Sequence, residues 1–162
     1  MVKDIKKLDL EDFDFGESNA EIIFKFLLPE QSWSGHQRYD YYLFAIDWIR
    51  DGIPKVAVDN LLEKTSVTRA QLCQIIHISI RQLNRYQNDD LLSVEQSNFL
   101  YEFTRVYIRG LDIFGDGQTL DQWLMRPNLA LGDKTPLELL DTSEGTRLVD
   151  DVLSQIEHGF YS

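Results

Sequence analysis

Along most of the chain, apolar residues return every three or four positions rather than every second one, the spacing of a helix that buries one face. The pattern predicts helices over residues 18–28, 36–51, 54–64, 68–76, 79–87, 93–114, 119–125, 136–141 and 143–158. In the last of these Leu148, Val149, Val152, Leu153 and Ile156 form the expected apolar face. No β-hairpin signal competes, and no low-complexity tract or internal repeat interrupts the series. The expected fold class is all-α, a helical bundle.

Polar residues mark the helix starts more sharply than the apolar ones do. A Ser or Thr cap accepts the backbone N–H three residues on, and a Glu or Gln at that third position reaches back to the N–H of the cap. Eight pairs in the chain have this spacing, against about two expected from composition alone. Seven precede predicted helices: Ser18/Glu21, Ser34/Gln37, Thr68/Gln71, Ser79/Gln82, Ser93/Gln96, Thr119/Gln122 and Thr135/Glu138. The eighth, Ser154/Glu157, sits inside a helical pattern and marks no start. Pro136 stands in the first position after Thr135, where its missing N–H leaves no bond unmade.

With 162 residues, 43% of them apolar and 12% aromatic, the chain has the material for one compact domain or two small ones. Its net charge of -11 argues against a nonspecific coat on nucleic acid or an anionic membrane, so any nucleic-acid contact must be local. The single cysteine, Cys73, makes no internal disulfide, and with His36, His77 and His158 far apart no zinc cluster forms; no metal or cofactor is expected. The charged first ten residues and the lack of any long apolar run point to a cytoplasmic protein that neither is secreted nor enters a membrane.

Charge also divides the chain. Residues 56–86 carry four positive and two negative charges, whereas 1–55 carry seven and eleven and 93–162 carry five and twelve. Residues 1–17 read as an acidic arm of disorder-prone composition, with Phe13 and Phe15 available to dock it. The expected division is this arm, a helical part over 18–92, and a separate helical domain over 93–162.

In the net-positive middle, Thr68 to Ile76, His77-Ile78 and Ser79 to Tyr86 outline helix, turn and helix, each opened by a capping pair. Over 68–87 this is the pattern of a helix-turn-helix, with Leu72, Ile75, Ile76, Ile78 and Leu83 as its buried seam. The second helix would read the major groove through Ser79, Arg81, Gln82, Asn84 and Arg85. Arg81 suits guanine, and Gln82 or Asn84 suits adenine. The same residues also fit two short helices of a bundle with a solvated polar face. His77 stands where glycine often supplies a left-handed turn, and only two arginines serve the reader.

Enzymatic motifs fail. Gly115-Asp116-Gly117 lacks the third glycine of a dinucleotide loop, since Leu120 stands there, and Trp123 occupies the position of the calcium-binding glutamate. The histidines show no metal-ligand or nucleophile spacing, and Cys73 has no adjacent basic activator. They read as structural or exposed, and no catalytic residue is expected.

The C-terminal third carries a series of spaced motifs: Ile113-Phe114-Gly115-Asp116, Trp123-Leu124, Pro127-Asn128, Leu131-Gly132, Pro136 to Leu140, Gly145 followed by Leu148-Val149, and Gly159-Phe160-Tyr161. In this order they closely resemble the toxin-binding domain of Xre/MbcA/ParS antitoxins, and the resemblance covers roughly residues 56–162. It implies a non-enzymatic antitoxin of a type II pair, with a helix-turn-helix joined to a C-terminal toxin-binding domain. It further implies a RES-domain partner that depletes NAD. The family's reader helix is more basic than Ser79 to Tyr86, which keeps Ser79, Leu83 and Arg85.

On that resemblance, Arg147, Asp151, Gln155, Glu157, Gly159, Phe160 and Tyr161 are the expected toxin contacts, with the last helix and tail over the NAD pocket. Operator DNA and a second copy of the chain are the other expected partners, because helix-turn-helix modules read paired half-sites by two-fold symmetry. The rival expectations are a stand-alone regulator without a toxin and a pure inhibitor without DNA binding. Trp33, Tyr39, Tyr41, Tyr42 and Trp48 are assigned to a packing or dimerising N-terminal part.

Overall fold

The computed structural model describes residues 19–31 and 40–160, and these are all-helical, with two isolated β-bridges in place of any strand. The helices are α1 (Asn19–Leu27), α2 (Asp40–Asp51), α3 (Val56–Lys64), α4 (Arg69–Ile75), α5 (Ile80–Leu83), α6 (Val94–Phe114), α7 (Gly117–Leu124), α8 (Pro136–Leu139) and α9 (Ser143–Glu157). A 3-10 turn, Leu129–Leu131, lies between α7 and α8. The expected acidic arm, the caps Ser18 and Ser34, Trp33 and Tyr39 fall outside the described residues, as does the side chain of Tyr41.

The longest helix, α6, is the spine. It packs against α1, α2, α4, α7 and α9, and its Leu100, Phe103, Val106, Tyr107 and Leu111 are buried among them. The small Gly110 lets α7 come close: a Cβ there would lie 2.4 Å from Leu120 Cδ1. Aromatic residues fasten the N-terminal helices to the spine, with Phe24 of α1 5.1 Å from Trp48 of α2, and Trp48 edge-on to Tyr101 of α6.

Capping chemistry explains most boundaries. Thr68/Gln71, Ser93/Gln96 and Thr135/Glu138 form reciprocal boxes, and Ser79 caps α5 by accepting the N–H of Gln82. Thr119/Gln122 is a correction. The helix opens at Gly117, because Asp116 already caps it, taking the N–H of Thr119 at 2.8 Å and its hydroxyl at 2.7 Å. Gly115, at φ 82°, stops α6 in the left-handed conformation one residue earlier, so the two helices turn without a loop.

One buried polar joint holds the middle of the chain to the C-terminal third. The Asp121 carboxylate, on α7, accepts from the Tyr107 hydroxyl and from the Ser66 N–H in the α3–α4 loop, both at 2.9 Å. Burial, and the carboxylate beside it, push the Tyr107 phenol well above its ordinary range, so it stays a donor.

Candidate functional site: a reader turn and an open helix face

The helix-turn-helix outline is present. Leu72, Ile75, Ile76, Ile78 and Leu83 are buried, and Cys73 lies in the same seam, where burial raises its thiol pKa against a smaller opposing pull from Arg69. His77 adopts φ 60°, the conformation for which glycine is usual. Its ring compensates by stacking on Phe99 of α6 at 4.4 Å, with Nδ1 3.1 Å from Glu95 Oε1 and Nε2 2.7 Å from the Asp141 carbonyl. The turn is thereby tied to the start of α6 and to the α8–α9 corner. This triple fit depends on residues far along the chain, and no local sequence signal announces it.

The reader helix is shorter than the pattern over 79–87 predicts. After Leu83 the chain tightens: the N–H groups of Arg85 and Tyr86 bond the carbonyls of Gln82 and Leu83. The segment that follows is needed elsewhere, because the carbonyls of Asn88 and Asp90 accept from Val56 and Lys55 and so cap the start of α3. Arg81, Gln82, Asn84 and Arg85 are all exposed. Asn84 is already engaged, since its Oδ1 accepts from Arg69 Nη1 at 3.1 Å while Arg69 Nη2 holds Asp59 at 3.0 Å. To grip adenine in a bidentate way, Asn84 must use the second lone pair of that oxygen or exchange the exposed bond to Arg69. Ser79 uses its hydroxyl as the cap. Arg81, Gln82 and Arg85, of the expected reader set, stay exposed.

The second candidate surface is α9. Its inner face holds Gly145, Thr146, Val149, Val152 and Leu153. Gly145 is required for close approach to α8, since a Cβ would lie 1.8 Å from the Leu139 carbonyl oxygen. Leu148 departs from the predicted apolar face: it is 43% exposed and lies with the solvated residues. At 100° per residue it stands nearer to Glu144, Asp151 and Gln155 than to the buried stripe.

A third face of α9 binds α6. Arg105 reaches Asp150 at 2.6 Å and Glu102 at 2.9 Å, and Arg109 reaches Asp150, Ser154 Oγ and Glu157. Glu157 is thus turned toward α6, 3.1 Å from Arg109, and away from the open stripe. Arg147, Asp151 and Gln155 stay on that stripe. Among the described residues Arg147 pairs only within its own helix, with Glu144 at 2.9 Å and Asp151 at 3.2 Å, and these carboxylates raise its pKa further.

Gly159, at φ 71°, ends α9. The N–H of Phe160 bonds the Gln155 carbonyl and that of Gly159 bonds Ile156, a Schellman closure that fixes where the chain leaves. Phe160 is anchored through its backbone, yet the residue is 78% exposed. Tyr161 lies outside the described residues. Among the described residues no three His, Cys, Asp or Glu side chains come together in a way that could hold a metal ion, and no helix is long and apolar enough to cross a membrane.

Both surfaces coincide with known sequence families. Residues 45–105 match the antitoxin Xre-like helix-turn-helix domain, and residues 109–159 match the antitoxin Xre/MbcA/ParS C-terminal toxin-binding domain. An antitoxin Xre from Photorhabdus laumondii is 30% identical over 116 residues, covering 70% of this chain and 78% of that protein. One from Yersinia enterocolitica is 29% identical over 119 residues, covering 72% and 80%. A Prs ADP-ribosylating antitoxin from a Sphingobium species is 41% identical over 51 residues, 32% of each chain.

Proposed function

Because the chain belongs to the Xre/MbcA/ParS family of antitoxins, we propose that it neutralises a RES-domain toxin that consumes NAD, laying α9 and the residues after it over the toxin's NAD pocket. The observation that carries this reading is the open stripe of α9. Arg147, Leu148, Asp151 and Gln155 are exposed and, among the described residues, none is bonded to another element, and the helix ends in a fixed closure that projects Phe160. Glu157 takes a supporting part, orienting α9 through Arg109. A cleft that binds NAD phosphates favours positive potential, and residues 93–162 carry twelve negative against five positive charges, so encounter is steered. One relative's name includes ADP-ribosylation, a transfer that draws on NAD, which supports an NAD-consuming partner for this chain too. The chain itself acts in the cytoplasm by occupancy and needs no cofactor or catalytic group.

The helix-turn-helix represses the operon as a homodimer, with Arg81, Gln82 and Arg85 at the DNA. A pure inhibitor without operator binding is the second reading. It is favoured by the short α5, the engaged oxygen of Asn84 and the exposed Asp89 and Asp90 beside the reader.

Co-expression with the product of the adjacent gene tests the first part, following growth and cellular NAD. The full chain should rescue, and a chain with Arg147→Glu, Asp151→Arg and Gln155→Ala should fail while remaining folded. Rescue by both would move the inhibitory contact off α9. For the second part, Arg81→Ala with Arg85→Ala should weaken a gel shift of the promoter and flatten its salt dependence. No shift by the unaltered chain would leave the pure inhibitor.

A further inference from the structure

We infer that the loop between α7 and α8 is a second anchor for the toxin, with Leu129 as the side chain that enters an apolar pocket on it; this rests on the toxin-binding reading above. Leu129 is 86% exposed, more than any other large apolar residue among those described. Met125, Arg126, Pro127 and Ala130 around it are exposed as well. An isolated exposed leucine is ordinary; a run of exposed, mainly apolar residues on a rigid support is a surface built for contact.

The support is explicit. Asn128 Oδ1 accepts the Ala130 N–H at 2.9 Å, while the Asn128 N–H donates to the Lys134 carbonyl and the Asn128 carbonyl accepts from Asp133, both at 3.0 Å. The return is made by two successive left-handed residues, Gly132 at φ 67° and Asp133 at φ 61°. An aspartate held there is a local cost that the closed loop imposes. Beneath, Leu131 is buried and the 3-10 turn packs on α9. Leu129 is therefore presented outward from a fixed frame next to the helix that carries the open stripe, and little ordering entropy is lost when it is covered.

Charge selects the occupant. From Gln122 to Gly132 there is no acidic residue, the longest such interval in residues 93–162, and Arg126 is the only charge. One arginine is too little for a nucleic-acid backbone, which is bound through several cations. An acidic surface that steers toward a basic partner, with an uncharged apolar knob inside it, matches the usual division between rim electrostatics and a desolvated anchor. The loop's continuity with α9 makes the partner of α9 its occupant.

Binding of the purified adjacent-gene product to the full chain, measured by biolayer interferometry, tests this with four proteins: unaltered, Leu129→Ala, Leu129→Asp and, as an exposed apolar control, Val94→Ala. Leu129→Ala should weaken binding about tenfold or more, as truncation of a central anchor does, and Leu129→Asp further, with thermal midpoints unchanged and Val94→Ala without effect. Equal affinity for Leu129→Asp and the unaltered chain would overturn the loop anchor while leaving the antitoxin reading intact. Failure of the unaltered chain to bind would overturn both. If Leu129→Asp instead lowered the mass of the free chain from dimer to monomer at unchanged toxin affinity, the occupant would be a second copy and the inference would fall.

Discussion

The reader turn and α9 each present polar side chains to solvent, but they dispose of them in opposite ways. Around α4 and α5 two of the polar side chains are bonded to other elements, Asn84 to Arg69 and thence to Asp59 of α3, and His77 to Glu95 of α6 and to the Asp141 carbonyl. On the open stripe of α9 the ion pairs stay within one helix, Glu144 to Arg147 to Asp151. Exposed pairs of that kind contribute only a few tenths of a kcal/mol and exchange readily for a partner's groups. The difference teaches that exposure alone does not make a recognition surface. The turn between α4 and α5 is held in shape by committing Asn84 and His77, whereas the stripe of α9 keeps its pairs within the helix and leaves rigidity to its inner faces.

The most forceful way to break this arrangement is at the joint under both regions. Asp121→Ala leaves the Ser66 N–H and the Tyr107 hydroxyl without their acceptor in a buried place, and should destabilise the fold by about 3 kcal/mol. Tyr107→Phe should cost less, about 1 kcal/mol, because Ser66 still satisfies the carboxylate in part. A urea titration of the two single variants and the double variant measures their coupling, which should be clearly non-additive. Additive losses would mean that the joint does not act as a unit.

His77 offers a sharper instrument, because its two functions oppose each other. His77→Ala keeps the left-handed strain and loses the stacking and both ring bonds, a loss of about 2 kcal/mol. His77→Gly loses the same contacts but relieves the strain, so it should be the more stable of the two by about 1 kcal/mol. Denaturation of both variants checks the order, and a Gly variant at or above the unaltered chain would show that the ring contacts contribute nothing net.

How far these features were legible in the sequence follows the range of the interactions behind them. Helix starts are written in three-residue spacings, and Thr68, Ser93 and Thr135 cap where the pattern says. The start of α7 departs from the Ser/Thr spacing because Asp116 takes the capping role, and a Ser/Thr template does not see an aspartate. The early end of α5 depends on the start of α3, to which Asn88 and Asp90 are bonded, and the engagement of Asn84 depends on Arg69 of α4, both beyond any local pattern. Helical periodicity told the inner face of α9 from the outer, but Leu148 was assigned by its chemistry when its angle places it outside. The exposure of Leu129 has no local signal, since only the loop geometry decides which way an apolar residue between two motifs faces.

The smallest effect separates a cap from a charge. Glu138 closes the box that opens α8: the Thr135 hydroxyl and then the Thr135 N–H bond its carboxylate, and Lys134 lies 3.4 Å away. These bonds, the hydroxyl's foremost, hold the carboxyl below its ordinary pKa in the folded chain. A depressed folded pKa means stability that is present above the unfolded value and lost as pH falls through the folded one. The unaltered chain should therefore lose a small increment of thermal midpoint between about pH 5 and pH 3, and Glu138→Gln, which keeps an acceptor for Thr135 but no charge, should lose less over the same range. Because α8 abuts α9 at Gly145, the loss should appear first in hydrogen exchange at the α8–α9 corner, while the amides of α4 and α5 keep their protection. Equal loss at both places would show that the two regions open together and that the contrast between them does not extend to their local stability.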